Sequence, residues 1–244
     1  MSGTRDENVF MAQLAQEAER WDDMAHYMKG VAVMGSELTD AERNMLHVAV
    51  KNSASFRRQA RRQILGCEMQ LPQDAAAIAK YRKKVDAELQ SICKDILALL
   101  DSHLIGSASS VEAKVFYIKM KGDYCRYGSE FAEAGERASF VAQGSSAYTD
   151  AWQEVQALNP ADSLRLGVAL NFAVFRNEVL GDAVAAVSLA QATIQEAKAS
   201  LDGLGPQQQD DAMQILVLLQ DNLKLWSAGG VAGQEIDGTE VEDF

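Results

Sequence analysis

The chain has 244 residues, with 23 basic and 35 acidic side chains, a net charge of −12 and 48% apolar residues. That is the composition of a globular protein, not of a disordered or fibrous one. The acid excess argues against a general nucleic-acid binder and against a protein held on anionic lipid, because both need basic surface.

The longest unbroken aliphatic runs, such as Ile96 to Leu100, fall far short of the roughly 18 residues of a membrane span. The segment from Met1 to Phe10 carries acids and lacks the apolar stretch of a secretory leader. Cys67, Cys93 and Cys125 are odd in number, widely spaced and form no C-x-x-C. They read as free thiols in a reducing compartment, so the expected setting is cytosolic.

Apolar residues recurring at i, i+3 and i+4 in Ala/Leu/Glu/Lys/Arg-rich stretches predict an all-α chain. Helices are expected over 5–18, 21–34, 40–69, 74–104, 111–132, 136–158, 162–180, 183–202 and 208–227. No alternating strand runs into a hairpin dipeptide. Nine helices with short connections should pack antiparallel to their chain neighbours. Thr39-Asp40-Ala41-Glu42 and Ser109-Ser110-Val111-Glu112 fit capping boxes. Asp74, Asp162 and Asp182 are candidate N-caps, and Gly35, Gly106 and Gly181 candidate helix stops. Pro72, Pro160 and Pro206 fall between helices. The expected organisation is one helical domain over 1–228. A tail over 229–244, rich in glycine and carrying five acids and no base, is expected to be disordered. Without that tail, 30 acids face 23 bases, a net charge of −7.

Several chemistries lack their residues. There is no phosphate-binding glycine loop, no G-x-S-x-G and no H-E-x-x-H. The only histidines are His26, His47 and His103, and none forms the Glu-x-x-His pair of a helical metal bundle. No metal or cofactor is expected. Cys125 beside Arg126 is the one hint of a reactive thiol, and it is weak by itself.

The informative segment runs from Lys51 to Arg62, with five cations in twelve residues of an acidic protein. At about 100° per residue, Lys51, Arg58 and Arg62 fall within roughly 40° of one another on one helix face, with Arg57 and Arg61 on another. Stacked cations repel unless an anion or acidic partner sits among them, and the guanidinium fork suits a phosphate. A solvated face paired with nearby acids is the competing reading. Two further stretches bear on it. Gly122-Asp123-Tyr124-Cys125-Arg126-Tyr127 offers an arginine beside a tyrosine hydroxyl. Asn171, Val174 and Glu178 share a face, as do Leu218, Asn222, Leu225 and Trp226. An asparagine amide both donates and accepts, so it can hold an extended peptide backbone.

Taken together these segments resemble the 14-3-3 family, collinearly over nearly the whole chain. The resemblance includes Ala18-Glu19-Arg20-Trp21-Asp22-Asp23-Met24, Val50-Lys51-Asn52, Lys119-Met120-Lys121-Gly122-Asp123-Tyr124, Arg165-Leu166-Gly167, Ala169-Leu170-Asn171-Phe172 and Asp221-Asn222-Leu223. It implies nine helices around a concave groove, with the N-terminal helices dimerising, and an adaptor for phosphoserine or phosphothreonine motifs rather than an enzyme. By the same resemblance Lys51, Arg58, Arg126 and Tyr127 take the phosphate, and Asn171 and Asn222 the peptide backbone. Arg62, Lys119, Leu170, Val174, Glu178, Ile215, Leu218, Leu225 and Trp226 match groove positions. Leu14, Ala18, Ala60, Ile64 and Tyr81 match the dimer interface, with inter-subunit ion pairs Arg20–Glu88 and Asp23–Lys84. The implied partners are phosphorylated clients and a second subunit, the same chain or a paralogue. The implied location is the cytoplasm, with the nucleus as a second compartment. A helical scaffold for unphosphorylated segments is the alternative.

The sequence also departs from the family pattern. Cys125 replaces an aromatic, and Gly128-Ser129 stands where a leucine and an alanine are usual. Gly128 is expected to loosen its helix by up to about 1 kcal/mol. Phe56 is expected to add bulk near the phosphate pocket. Gln214 replaces an apolar wall residue, and Ala60 a phosphorylatable serine.

Overall fold

A computed structural model describes residues 3–228, which contain nine α-helices and no strand. They fall into two compact units. The first comprises the chain up to Ser109 with Phe131–Glu133, and the second Ser110–Glu130 with the chain from Ala134 onward. The acidic tail, 229–244, lies outside the described residues.

The first unit holds α1 (Arg5–Glu17), α2 (Trp21–Ala32), α3 (Asp40–Gln70) and α4 (Ala75–Leu99). Each packs on its chain neighbour. α1 and α3 both begin with a complete capping box, Thr4 with Glu7 and Thr39 with Glu42. Glu42 also binds Arg5 through Arg5 Nη2 at 2.6 Å, which ties the two helix starts together. The α1–α2 turn is a Schellman closure: Glu19 N–H donates to the Gln16 carbonyl and Arg20 N–H to that of Ala15. Glu19 occupies its left-handed position at φ 54°. Met24, Met28 and Val31 bury the inner face of α2, and Leu46, Ala49 and Val50 that of α3. Past Ala54, α3 has no fully buried residue, and α4 has none before Val85. The outer half of this hairpin is held by ion pairs, including Arg61–Asp86 at 2.6 Å and Arg82–Glu68 at 3.2 Å.

The second unit holds α5 (Val111–Ser129), α6 (Ala134–Glu154), α7 (Ser163–Glu178), α8 (Ala183–Lys198) and α9 (Pro206–Ser227). α7 is its centre. Every residue from Arg165 to Phe175 is buried, as expected of a helix surrounded by others. α5 lies chiefly on α6, while α7, α8 and α9 pack mutually. The α7–α9 core includes Leu166, Leu170, Ala186, Ala190, Ile215 and Leu219. The inner face of α8 is mostly alanine, which admits close approach of its neighbours. Tyr148, Phe172 and Phe175 form a second, aromatic cluster.

Three cap expectations shift. α5 starts at Val111 as expected, but its cap is Ser110 and not Ser109: Ser110 accepts from Ala113 N–H, while Ser109 N–H donates to Glu37. The box that Ser109 and Glu112 would form is therefore absent. Asp74 is at the N-cap of α4 but makes no capping bond, because the 3-10 turn Pro72–Asp74 leaves it at φ −107°, ψ 6° rather than extended. α4 does not stop at a left-handed Gly106. It passes through a π turn, Leu100–Leu104, and a 3-10 turn, Ile105–Ser107. Thr39, Asp162 and Asp182 cap as expected. Gly35 and Gly181 take positive φ, 84° and 68°.

Candidate functional site

The cations of α3 divide as their 100° spacing requires. Arg57 reaches Asp22 on α2 at 2.9 Å and Glu88 on α4 at 3.0 Å, and Arg61 reaches Asp86. The Asp22 carboxyl is held below its ordinary range, mainly by its hydrogen bond from Arg57. The acid-paired reading of the basic segment thus describes Arg57 and Arg61. Lys51, Arg58 and Arg62 occupy the other face, half-buried. Phe56 does not sit with them. It is two residues, or about 200°, from Arg58. It is 58% exposed and lines a hollow of about 310 Å³ with Trp21, Arg57 and the α1–α2 turn. The expectation of bulk near the phosphate face is therefore wrong for a helix-geometric reason.

The four residues matched to phosphate binding are divided between the units, Lys51 and Arg58 on α3 and Arg126 and Tyr127 on α5. Arg126 is buried, with its guanidinium carbon 4.7 Å from the Tyr127 ring centroid. Its Nη1 lies 3.9 Å from the carboxylate of the half-exposed Glu178. Among the described residues its Nε has no hydrogen-bond partner. Burial alone would lower its pKa, but Tyr127, Tyr148, Glu178 and Asp123 hold it well above the ordinary value. The second unit thus keeps a fully charged, desolvated and incompletely satisfied guanidinium. Such a group costs free energy unless an anion completes its shell. Asn222 on α9 is 5% exposed, and among the described residues its Nδ2 also lacks a partner.

Two expected site residues are tied inward. Lys119 Nζ binds Asp123 Oδ2 at 3.1 Å, and Asn171 Nδ2 donates to Asp123 Oδ1 at 2.9 Å. Tyr148 donates its hydroxyl to the same Oδ1. Burial raises the Tyr148 pKa well above its ordinary value, so it remains a donor. Sequence reasoning missed Asp123 and Tyr148. The Lys119–Asp123 spacing of four was the available signal for one of them, and nothing local marked Tyr148. Leu170, Ile215, Val174 and Trp226 are buried in the α7–α9 core, while Leu218 and Leu225 are partly exposed beside it.

Leu14 and Tyr81, matched to a dimer interface, are more than half exposed. Ala18 and Lys84 are exposed, and Ala60 and Ile64 half-buried. Within this chain Arg20 bonds Asp23, and Glu88 bonds Arg57. Cys125, the one candidate nucleophile, is fully buried. No group of three metal-ligating side chains occurs among the described residues. No helix among them is long and apolar enough to cross a membrane.

These features define an all-α protein with a buried arginine centre and no assembled catalytic group among the described residues. The family model described as "14-3-3 protein" matches residues 11–227. A trout (Oncorhynchus mykiss) 14-3-3 protein beta/alpha-1 is 44% identical over 96% of this chain and 98% of its own length. The human 14-3-3 protein beta/alpha is 42% identical over the whole of both chains, and that of Xenopus tropicalis 42% over 98% and 99%. The chain belongs to the 14-3-3 family, whose members are adaptors and not enzymes.

Proposed function

We propose that this protein is a dimeric adaptor that binds phosphoserine or phosphothreonine motifs in client proteins and so regulates their activity, location or assembly. By the family resemblance, Lys51, Arg58, Arg126 and Tyr127 take the phosphate. Asn171 and Asn222 hold the client backbone beside Glu178, with Lys119, Leu170, Val174, Ile215, Leu218, Leu225 and Trp226 around them and Arg62 as an added cation. The observation that carries this reading is Arg126, buried and charged, with Nε unsatisfied among the described residues. A phosphate brings nearly two negative charges and three acceptor oxygens to such a group. The remaining charge of the body is negative, which disfavours non-specific polyanions.

Dimerisation is supported by exposed Leu14, Phe56 and Tyr81 and by the outer α3–α4 hairpin, which has no buried residue of its own. Arg20, Asp23, Lys84 and Glu88 would pair across that contact, fixing register more than adding affinity. Two client sites in one dimer would raise the avidity for doubly phosphorylated partners. A cytoplasmic setting accords with the free thiols.

Fluorescence anisotropy with an Arg-Ser-x-phosphoSer-x-Pro peptide and its unphosphorylated twin tests the reading. The phosphopeptide alone should bind. Arg58→Ala or Lys51→Glu should weaken it by about 10-fold or more, if a hydrogen bond to a charged group contributes about 1.5–3 kcal/mol. Equal binding of both peptides, with light scattering showing a folded dimer, would favour the scaffold for unphosphorylated segments.

A further inference from the structure

The buried carboxylate of Asp123 accepts from three side chains on three parts of the second unit. Lys119 lies one turn earlier on α5, Tyr148 comes from α6 and Asn171 from α7. All four residues are at most 3% exposed. A carboxylate can only accept, so it admits only the NH2 end of the Asn171 amide. Flipping that amide would set its carbonyl oxygen against Asp123 Oδ1, two acceptors face to face in a buried site. Lys119 sets its ammonium 3.1 Å from the other carboxylate oxygen, Oδ2. The Tyr148 ring is placed by packing: it stacks on Phe172 at 5.7 Å with the planes 13° apart, and lies against Gly122. A Cβ at Gly122 would come within 2.9 Å of that ring. Glycine immediately before Asp123 is what lets the hydroxyl reach the carboxylate.

We infer that Asp123 and Tyr148 are positioning residues that lock the Asn171 amide in one orientation, so that Asn171 meets an extended client backbone without first having to reorient. The inference rests on the reading of Asn171 as a backbone contact. Preorganisation of this kind improves affinity by removing an ordering cost at the moment of binding. It also gives α6, which supplies none of the residues assigned to the client, a part in recognition.

Two measurements on the full chain test it. In the peptide-free protein, the side-chain NH2 resonances of Asn171, assigned by their loss in Asn171→Ala, should form one sharp pair. In Asp123→Asn the pair should double or broaden, because a facing amide accepts either orientation. A single, unshifted pair in Asp123→Asn overturns the inference whatever the peptide does. For binding, the probe is the labelled phosphopeptide. Tyr148→Phe, which keeps the ring packing, should weaken it about 3- to 10-fold, the range of one ordinary hydrogen bond. In an Asn171→Ala background the same change should matter less than about 2-fold, since coupled residues are not additive. Gly122→Ala, which displaces the Tyr148 ring, should reproduce the pattern. Equal losses in both backgrounds would mean that Tyr148 acts through stability alone and would refute the positioning role. If wild-type protein does not prefer the phosphopeptide, the proposed function fails, while the resonances still decide whether Asn171 is locked.

Discussion

Gly128 is where local propensity and packing predict opposite signs. On an isolated helix, Gly128→Ala should stabilise by up to about 1 kcal/mol. In the structure, a Cβ at Gly128 would lie 2.8 Å from both Cε1 and Cζ of Phe140, and 3.0 Å from Cδ1. Three atoms of one buried ring cannot yield as a flexible chain end does, and Phe140 is only 4% exposed. Overpacking of this kind costs about 1–3 kcal/mol. Subtracting the propensity gain leaves Gly128→Ala destabilised by about 1 kcal/mol, a fall of roughly 2–4 °C in melting temperature for a chain of this size. Gly128→Leu, which restores the residue usual in the family, should cost more. Chemical denaturation followed by circular dichroism measures both. Phe140→Leu should cost less in the Gly128→Ala background than in the wild type, because the two changes relieve the same contact. An increase in stability for Gly128→Ala, or strict additivity with Phe140→Leu, would refute the account of this glycine as the socket of Phe140.

Glu19 holds a left-handed conformation that costs a side-chain-bearing residue about 1–2 kcal/mol. After the greater chain entropy of glycine is allowed for, Glu19→Gly should raise stability by about 0.5–1 kcal/mol in the same denaturation assay. Asp162→Ala removes the acceptor for Leu164 and Arg165 N–H at the start of α7, and should cost about 1 kcal/mol, with Asp162→Asn nearly neutral in thermal melts. The Glu42 carboxyl is held below its ordinary range by the Arg5 hydrogen bond. Between the folded and unfolded pKa values the unfolded chain binds more protons, so this stabilisation is present above the unfolded value and is lost as pH falls through the folded one. Melting temperature measured from pH 7 to pH 3 should therefore fall more steeply at its acid end in the wild type than in Glu42→Gln.

The helices were legible because their signals are local. Apolar spacing and the oxygens of Thr39, Asp162 and Asp182 act within one or two turns, and the chain carries them wherever it folds. The two faces of the basic segment were legible for the same reason, since Lys51, Arg58 and Arg62 align by helix geometry alone. The role of the segment came from collinear resemblance, because a cationic stripe by itself fits acidic neighbours as well as phosphate. Arg57 and Arg61 indeed found such neighbours in Asp22, Glu88 and Asp86. The one-residue slip at Ser109 arose because two adjacent serines both satisfy the cap pattern, and Glu37, 72 residues away, took the N–H of one.

What the sequence by itself determined is the all-α class, the helix order and the charge pattern, all properties of contacts within a few residues. Tertiary structure alone decided which side chains share a buried environment. Gly128 reads as a weak point until Phe140 fills the space above it, and Phe56 turns out to face the α1–α2 turn. Asp123 is an ordinary helical acid until Tyr148 and Asn171, 25 and 48 residues away, converge on it. The reason is that desolvation and ring contact depend on distance in space, and helix packing brings together atoms that no sequence window contains.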